Sequence, residues 1–278
     1  MGPTQLLIDG KFVNSASGKT FETINPATGK PITSVQEAGK EDVDRAVKAA
    51  RRAFDNGPWR REEPKVRSRL LHKLADKLET HIDELAALET LDNGKPLFFA
   101  KLDIGFAIDI LRYYAGWPDK ILGQTIPMAG PYLAYTKEEP VGVCGQIVPW
   151  NFPLLMAVFK IAPALATANT IVLKPAEQTP LSAIRLGELA LECGFPEGVL
   201  NVLPGYGEAA GEALVKHRQV DKIAFTGSTE VGKKILANGG LKRVTLELGG
   251  KNPNIIMNDA DLDMAVQQSH FAAFLNSG

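Results

Sequence analysis

The chain has 278 residues, of which 45% are hydrophobic and 23% charged, and these values exclude a disordered or fibrous protein. Its 31 Lys and Arg residues are balanced by 32 Asp and Glu residues, so no basic excess favours nucleic acid or an anionic membrane as a partner. Two cysteines exclude a disulfide framework and indicate a reducing compartment. The cytoplasm is therefore the predicted location, and a processed mitochondrial protein is the alternative.

The first third of the chain predicts short hairpins followed by helices. Residues 1–35 alternate short apolar runs with Gly, Asn and Pro, which indicates hairpins at a surface. Apolar residues recur with helical spacing over 41–55, 64–92 and 97–115, and Asn93-Gly94 marks a helix end. These helices show no obvious catalytic residue.

From about residue 120 the pattern changes to strands that alternate with helices. Residues 121–139 predict a pair of half-exposed strands, and five apolar runs follow, at 141–148, 170–174, 199–203, 222–226 and 243–248. Helical segments separate or follow these runs, at 153–167, 180–193, 207–217, 229–237 and 261–275. Buried strands separated by helices predict an α/β fold with a doubly wound parallel sheet, similar to a Rossmann dinucleotide-binding domain.

The most apolar stretch, 152–173, contains Lys160, Pro153 and Pro163. A charge and two prolines are costly in hydrocarbon, so a buried helix that leads into a buried strand is favoured over a membrane span.

Polar residues follow several of these strands, where ligands of doubly wound sheets bind. Asn151 lies at a helix entrance, where its amide could donate to a developing oxyanion or could cap the helix. Lys174 and Glu177 could bind the two hydroxyls of a ribose, or they could form an ordinary solvated ion pair. Because a carboxylate repels a 2′-phosphate, Glu177 favours NAD over NADP.

Two further strand ends carry candidate residues. Gly227 and Ser228 open a helix directly after a strand, which suits a phosphate but also an ordinary turn with Ser228 as the N-cap. Glu247 lies between two leucines and precedes two glycines. Apolar surroundings would raise its pKa toward that of a general base, and a solvent-facing strand residue is the alternative.

The cysteines and histidines suggest no further chemistry. Cys144 lies within an apolar run and is interpreted as a core residue, and Cys193 ends a helix. The four histidines lack the spacing of metal ligands, so no metal site is predicted.

Five segments, in chain order, carry a resemblance to one family: IVPWNFP, VLKPAEQTPLSA, GFPEGVLNVLPGYG, FTGSTEVG and LELGGKNPNIIM. Together they resemble the NAD(P)-dependent aldehyde dehydrogenases, in particular the broad-specificity enzymes that oxidise retinal and acetaldehyde. The resemblance implies oxidation of an aldehyde substrate to a carboxylic acid. In that mechanism a cysteine thiolate attacks the aldehyde, hydride passes to NAD, and water activated by a glutamate releases the acid.

The resemblance also implies roles for individual residues. Asn151 corresponds to the oxyanion-hole amide and Glu247 to the general base. The residues implied to bind the cofactor NAD or to line its cleft are Ile147, Val148, Pro149, Trp150, Lys174, Glu177, Gly207, Phe225, Gly227, Ser228, Val231, Leu248 and Gly249.

Two domains are implied as well. Residues 1–252 are expected to form the NAD-binding domain, with strands at about 121–139 that mediate formation of a dimer or tetramer. Residues 253–278 are expected to begin a catalytic domain that is missing, because the nucleophilic cysteine of the family follows FLNSG within a few residues. The 278-residue chain alone is then expected to be inactive. The alternative is a non-catalytic NAD-binding or crystallin-like short form that pairs with full-length subunits.

Overall fold

The computed structural model describes residues 2–277; Met1 and Gly278, at the ends of the two predicted domains, lie outside the described residues. The strands are β1 (Leu6–Ile8), β2 (Lys11–Val13), β3 (Thr20–Asn25), β4 (Lys30–Gln36), β5 (Thr125–Ile126), β6 (Ala134–Tyr135), β7 (Val143–Ile147), β8 (Thr170–Lys174), β9 (Leu200–Val202), β10 (Lys222–Gly227) and β11 (Arg243–Leu248). The α-helices are α1 (Lys40–Asp55), α2 (Pro64–Thr80), α3 (Ile82–Asn93), α4 (Leu97–Ala115), α5 (Pro153–Ala166), α6 (Leu181–Cys193), α7 (Glu212–Lys216), α8 (Thr229–Asn238) and α9 (Leu262–Phe274).

The main sheet has seven strands in the order β11-β10-β7-β8-β9-β1-β2. The five strands from β7 to β11 are parallel to one another, which confirms the predicted parallel sheet. The chain proceeds from β7 outward to β9 and then returns to place β10 on the other side of β7. The strand order therefore reverses between β7 and β10, and crevices at such a switch point are where ligands of these folds bind.

Two hydrophobic clusters cover the two faces of the sheet. Ile171 and Leu173 of β8 pack into one cluster, with α2, α4, α5 and α6, whereas Val172 packs into the other, with α1 and α7. Successive side chains of a strand point to opposite faces, so β8 is buried on both. This arrangement confirms the doubly wound architecture and explains why the central strands are mostly apolar.

The predicted helix over 64–92 is two helices in the structure. The backbone of His81 leaves the helical conformation (φ −105°, ψ 16°), and the chain continues as a separate helix, α3. After this break α3 packs against both α4 and α6. The apolar spacing continues across His81, so periodicity alone could not show the break.

The sequence predicts that the hairpin of β1 and β2 lies at the surface. In the structure it is an extension of the main sheet, so this prediction is wrong. Leu6 and Leu7 are fully buried, and β1 pairs antiparallel with β9. The side chain of Asn201 on β9 fixes this contact, because its Oδ1 accepts a hydrogen bond from the N–H of Asp9 at 2.9 Å.

Three smaller elements also lie where the sequence predicts strands or helices. The helix predicted over 207–217 begins as a wider π-turn, Gly207–Gly211, before α7. The strands predicted in 121–139 form one short antiparallel hairpin, β5 with β6. Asp261 caps α9 by accepting a hydrogen bond from the N–H of Met264.

Within residues 2–277, no helix combines the length and the apolar character needed to cross a membrane.

Candidate active site at the carboxyl ends of the parallel strands

The residues singled out in the sequence lie at or after the carboxyl ends of the parallel strands. Ile147 on β7 is in register with Phe225 on β10 and with Lys174 on β8. On the far side of β10, Glu247 is in register with Thr226. With about 4.8 Å between neighbouring strands, the strand that carries Glu247 and the strand that carries Lys174 are about 14 Å apart. The structure thus places these residues at the same end of the sheet, on both sides of the switch point.

The turn between β10 and α8 is built around a glycine. A Cβ atom on Gly227 would lie 2.4 Å from the ring of Phe225, so only glycine fits there without a shift. The next residue, Ser228, caps α8: its hydroxyl oxygen accepts a hydrogen bond from the N–H of Val231 at 3.3 Å. The N-cap interpretation is therefore confirmed, and the first turn of α8, including exposed Thr229, remains open to an anion.

Lys174 at the end of β8 is buried, with only 3% of its surface exposed. Its ammonium group donates to the carbonyl of Pro175 at 2.8 Å and to Glu177 Oε2 at 3.3 Å. Burial lowers the pKa of Lys174, and the charge of Glu177 opposes that shift. The alternative of a solvated ion pair is wrong for the lysine. Two of the three N–H groups of its ammonium are hydrogen-bonded, and the third, which has no acceptor among the described residues, is free to donate to a ligand. The carboxylate of Glu177 beside it is a half-buried acceptor.

Asn151 does not cap α5, so that alternative is wrong. The N-cap position belongs to Phe152, and no side chain at that position bonds to the helix. The Oδ1 atom of Asn151 is buried and has no hydrogen-bond partner among the described residues. The side-chain oxygen of Asn151 is therefore not used to stabilise the helix.

The main chain around Asn151 is held by the junction of α3 and α4. Asn93 Nδ2 donates to the carbonyl of Trp150 at 2.6 Å, and Lys95 Nζ donates to the carbonyl of Asn151 at 3.0 Å. Glu89 Oε2 accepts a hydrogen bond from the N–H of Leu154 at 3.2 Å. The sequence interpretation assigned no chemistry to these helices and missed this support. The signal was present, because Glu89 follows Leu85 and Ala86 at helical spacing on the buried face.

Burial changes the protonation of the carboxyl groups at this junction. It raises the pKa of Glu89 to about 7, with Lys95 opposing the shift. Burial also raises the pKa of Asp92 to about 7, although the carboxylate accepts a hydrogen bond from the N–H of Leu181 at 2.9 Å. Glu89 and Asp92 thus contact the N-termini of α5 and α6, the two helices that follow the strand ends.

Glu247 lies on β11, the edge strand of the sheet, and its side chain is exposed. The expectation that apolar surroundings enclose it is wrong for this structure. Leu246 points to the sheet core, but Leu248 is itself 39% exposed. The solvent-facing alternative therefore describes Glu247 here. Nearby Lys160 has its pKa lowered to about 8 by burial, and the charge of Glu247 acts in the opposite direction.

The remaining cofactor candidates differ in exposure. Three of them, Ile147, Val148 and Phe225, are buried and lie beneath the exposed residues at the strand ends. The more exposed candidates are Pro149, Trp150, Gly207, Val231, Leu248 and Gly249. A cavity of about 270 Å³ lies elsewhere, at the opposite end of the sheet, lined by Asp9, Arg52, Ala53, Asn56, Gly57 and Glu197. The strand-end site is an open surface rather than this cavity.

Neither cysteine has the surroundings of a nucleophile. Burial raises the pKa of Cys144 to about 12 and also raises that of Cys193, which stabilises the thiol over the thiolate. Cys144 is a core residue, as predicted. Among residues 2–277, the structure contains no group of three or more His, Cys, Asp or Glu side chains that could hold a metal ion.

Comparison with known proteins identifies the family. Residues 12–278 match the model of the aldehyde dehydrogenase family. The chain belongs to this family. It is 61% identical over 280 residues to the putative aldehyde dehydrogenase DhaS of Bacillus subtilis, with 100% of this chain and 57% of that protein covered. It is 57% identical over 279 residues to human mitochondrial aldehyde dehydrogenase, with 99% of this chain and 54% of the human protein covered.

Solved structures support the same conclusion for the fold. A structure of the Bacillus cereus aldehyde dehydrogenase in complex with NAD+ matches with a TM-score of 0.97 and 54% identity, and the match covers 99% of this chain and 57% of that one. The chain therefore spans a little over half the length of the aldehyde dehydrogenases it matches.

Proposed function

We propose that this chain is the NAD-binding part of an aldehyde dehydrogenase, and that the protein which contains it oxidises an aldehyde to a carboxylic acid. The observation that carries the proposal is the row of strand ends around the switch point. There a buried lysine paired with a half-buried carboxylate, the N-terminus of α8 and an amide whose oxygen has no hydrogen-bond partner among the described residues follow neighbouring strands. The resemblance in sequence and structure to a B. cereus enzyme with bound NAD+ supports it.

The donor set fits a dinucleotide. Lys174 and Glu177 supply a donor and an acceptor for the two hydroxyls of the adenosine ribose. The first turn of α8, entered through Gly227 and Ser228, supplies N–H groups for phosphate oxygens. A Cβ atom on Gly207 would meet no atom within 4 Å, so this exposed glycine leaves open space for the adenine.

The same edge also carries the two groups proposed for catalysis. When bound, the nicotinamide ring of NAD accepts a hydride from the substrate. Asn151 donates from its amide to the oxygen of the aldehyde as negative charge develops on it. Glu247 removes a proton from the water that releases the acid. The nucleophilic cysteine is proposed to belong to the half of the relatives that this chain does not cover, since Cys144 and Cys193 are buried thiols.

The exposed hairpin of β5 and β6 supports the proposal of a homo-oligomer. Leu133, Tyr132 and Tyr135 expose between 67% and 79% of their surface, and an apolar hairpin of this kind is suited to pairing with a second subunit. A cytoplasmic location remains a prediction from the cysteine content.

Two measurements test the proposed function. Calorimetric titration of the 278-residue chain with NAD should show binding that is lost in Lys174→Met. The protein that carries this chain should form NADH from NAD when acetaldehyde is added. Binding of NAD without formation of NADH in that protein would support the non-catalytic alternative, and absence of NAD binding to the chain would refute both.

A further inference from the structure

The segment Trp150–Phe152 is fixed through its main chain by a part of the fold outside the sheet. Two consecutive carbonyl groups of this segment accept hydrogen bonds from the α3–α4 junction, one from Asn93 and one from Lys95. Asn151 therefore has little freedom in its backbone, although its side-chain oxygen has no hydrogen-bond partner among the described residues.

Lys95 is suited to this contact because it is itself held in place. It exposes only 3% of its surface, forms an ion pair with Asp103, and lies 4.0 Å from Glu89 Oε1. Its ammonium also lies 4.2 Å from the centre of the Phe152 ring. The ammonium thus donates to Asp103 and to the carbonyl of Asn151, with Glu89 and the Phe152 ring close by, and these contacts hold the buried charge in place.

Glu89 acts on the same segment from its other end. The N-cap position of α5 is occupied by Phe152, which has no oxygen in its side chain to accept from the helix. Glu89 accepts the hydrogen bond of Leu154, the second residue of the helix, as an N-cap side chain normally does. The helix start that follows Asn151 is therefore fixed by α3.

We propose that Glu89, Asn93 and Lys95 are positioning residues that orient the Asn151 amide toward the oxygen of the bound aldehyde. This proposal rests on the proposed function, in which Asn151 stabilises the developing oxyanion. Each of the three side chains has a hydrogen bond to the main chain at Asn151 or on one side of it, and none bonds to the side chain of Asn151, so they act through its position. A displacement of about 1 Å in such a group costs about 10²-fold in rate.

The test is a double-mutant cycle in the protein that carries this chain, with acetaldehyde and NAD as the probe substrates. Asn151→Ala should lower kcat about 10²- to 10³-fold. Lys95→Met should lower kcat between about 10- and 100-fold in the wild-type background. In the Asn151→Ala background it should change kcat by no more than about twofold, because the group that it positions is gone. The dissociation constant for NAD should change little in either background.

Hydrogen–deuterium exchange supplies a readout that does not depend on turnover. Exchange in the peptide over 150–156 should become faster in Lys95→Met, while exchange over 226–236 stays as in the wild type. Lys101→Met is the matched control, since Lys101 is a half-exposed lysine on α4 whose ion pair with Asp83 is on the surface. This control should leave kcat and exchange over 150–156 unchanged.

The outcomes separate the two proposals. A wild-type protein without acetaldehyde-dependent NADH formation overturns the proposed function together with this inference. An active wild type in which Lys95→Met lowers kcat by the same factor in both backgrounds, or leaves exchange over 150–156 unchanged, overturns the positioning role alone. If Lys95→Met does not fold, Asn93→Ala decides by the same two readouts, because it removes one partly exposed hydrogen bond and no charge.

Discussion

The raised pKa of the Glu89 carboxyl group predicts how the stability of the folded chain depends on pH. Burial raises its pKa from 4.5 to about 7 in the folded chain, so the folded state holds this proton over a range in which the unfolded chain has lost it. The proton therefore stabilises the fold fully below pH 4.5, and this contribution is lost as the pH rises from about 4.5 to about 7. Glu89→Gln should remove this loss, because the amide cannot ionise.

The magnitude follows from the difference between the two pKa values. A difference of about 2.5 between 4.5 and 7 corresponds to about 3 kcal/mol at 1.36 kcal/mol per unit. The opposing attraction of Lys95 is already contained in the folded pKa. The wild type should therefore lose up to about 3 kcal/mol of unfolding free energy between pH 5 and pH 8 that Glu89→Gln does not lose. The variant's unfolding free energy minus that of the wild type should increase by this amount. The hydrogen bond from Leu154 can be retained, since the amide oxygen is also an acceptor.

Urea unfolding of the 278-residue chain, followed by circular dichroism at several pH values from 5 to 8, measures this difference. Glu84→Gln is the matched control, because it removes a half-exposed carboxylate from the same helix and leaves Glu89 in place. This control should lose stability with rising pH as the wild type does. A constant difference between Glu89→Gln and wild type over the whole range would refute the assignment of a raised pKa to Glu89.

Four further substitutions, at three positions, test the strand-end site. Gly227→Ala should destabilise the chain by about 1–3 kcal/mol in urea unfolding, because the new Cβ would lie 2.4 Å from the ring of Phe225. Glu177→Gln should relax the preference for NAD over NADP in steady-state kinetics of the protein that carries this chain, because the repelling carboxylate is gone. Ser228→Ala should cost about 1 kcal/mol through the lost N-cap, and Ser228→Asp should restore stability but weaken NAD binding by repelling its phosphates.

Each of these expectations has a contrary result. A Gly227→Ala chain as stable as wild type would show that the ring of Phe225 moves aside at no cost. An unchanged ratio of NAD to NADP use in Glu177→Gln would refute the role of this carboxylate in cofactor choice. Binding of NAD to Ser228→Asp with wild-type affinity would show that phosphates do not approach the start of α8.

The sequence predicted the fold where its signals were local. The run over 170–174 has three consecutive apolar residues, Ile171 to Leu173, and lies between helical segments, and β8 has these bounds in the structure. The hairpin of β1 was placed at the surface because its burial depends on β9, about 190 residues away, through the side chain of Asn201. A contact of this kind leaves no periodic signal in either segment.

The sequence shows where the candidate side chains lie along the fold, but it does not show what surrounds them. Register with neighbouring strands follows from a parallel sheet, so the strand ends could be expected at one edge. The environment of a side chain depends on what covers it. Glu247 is exposed on an edge strand, although its neighbours in sequence are leucines. The support of Asn151 by Lys95 was missed because it joins segments that are 56 residues apart.

A crystal structure of the 278-residue chain with NAD tests the central claim most directly. The account predicts density for the dinucleotide across the ends of β7, β8 and β10, with ribose hydroxyls at Lys174 and Glu177 and phosphates at the start of α8. Density in the cavity lined by Asp9, Arg52 and Glu197, at the opposite end of the sheet, would contradict it.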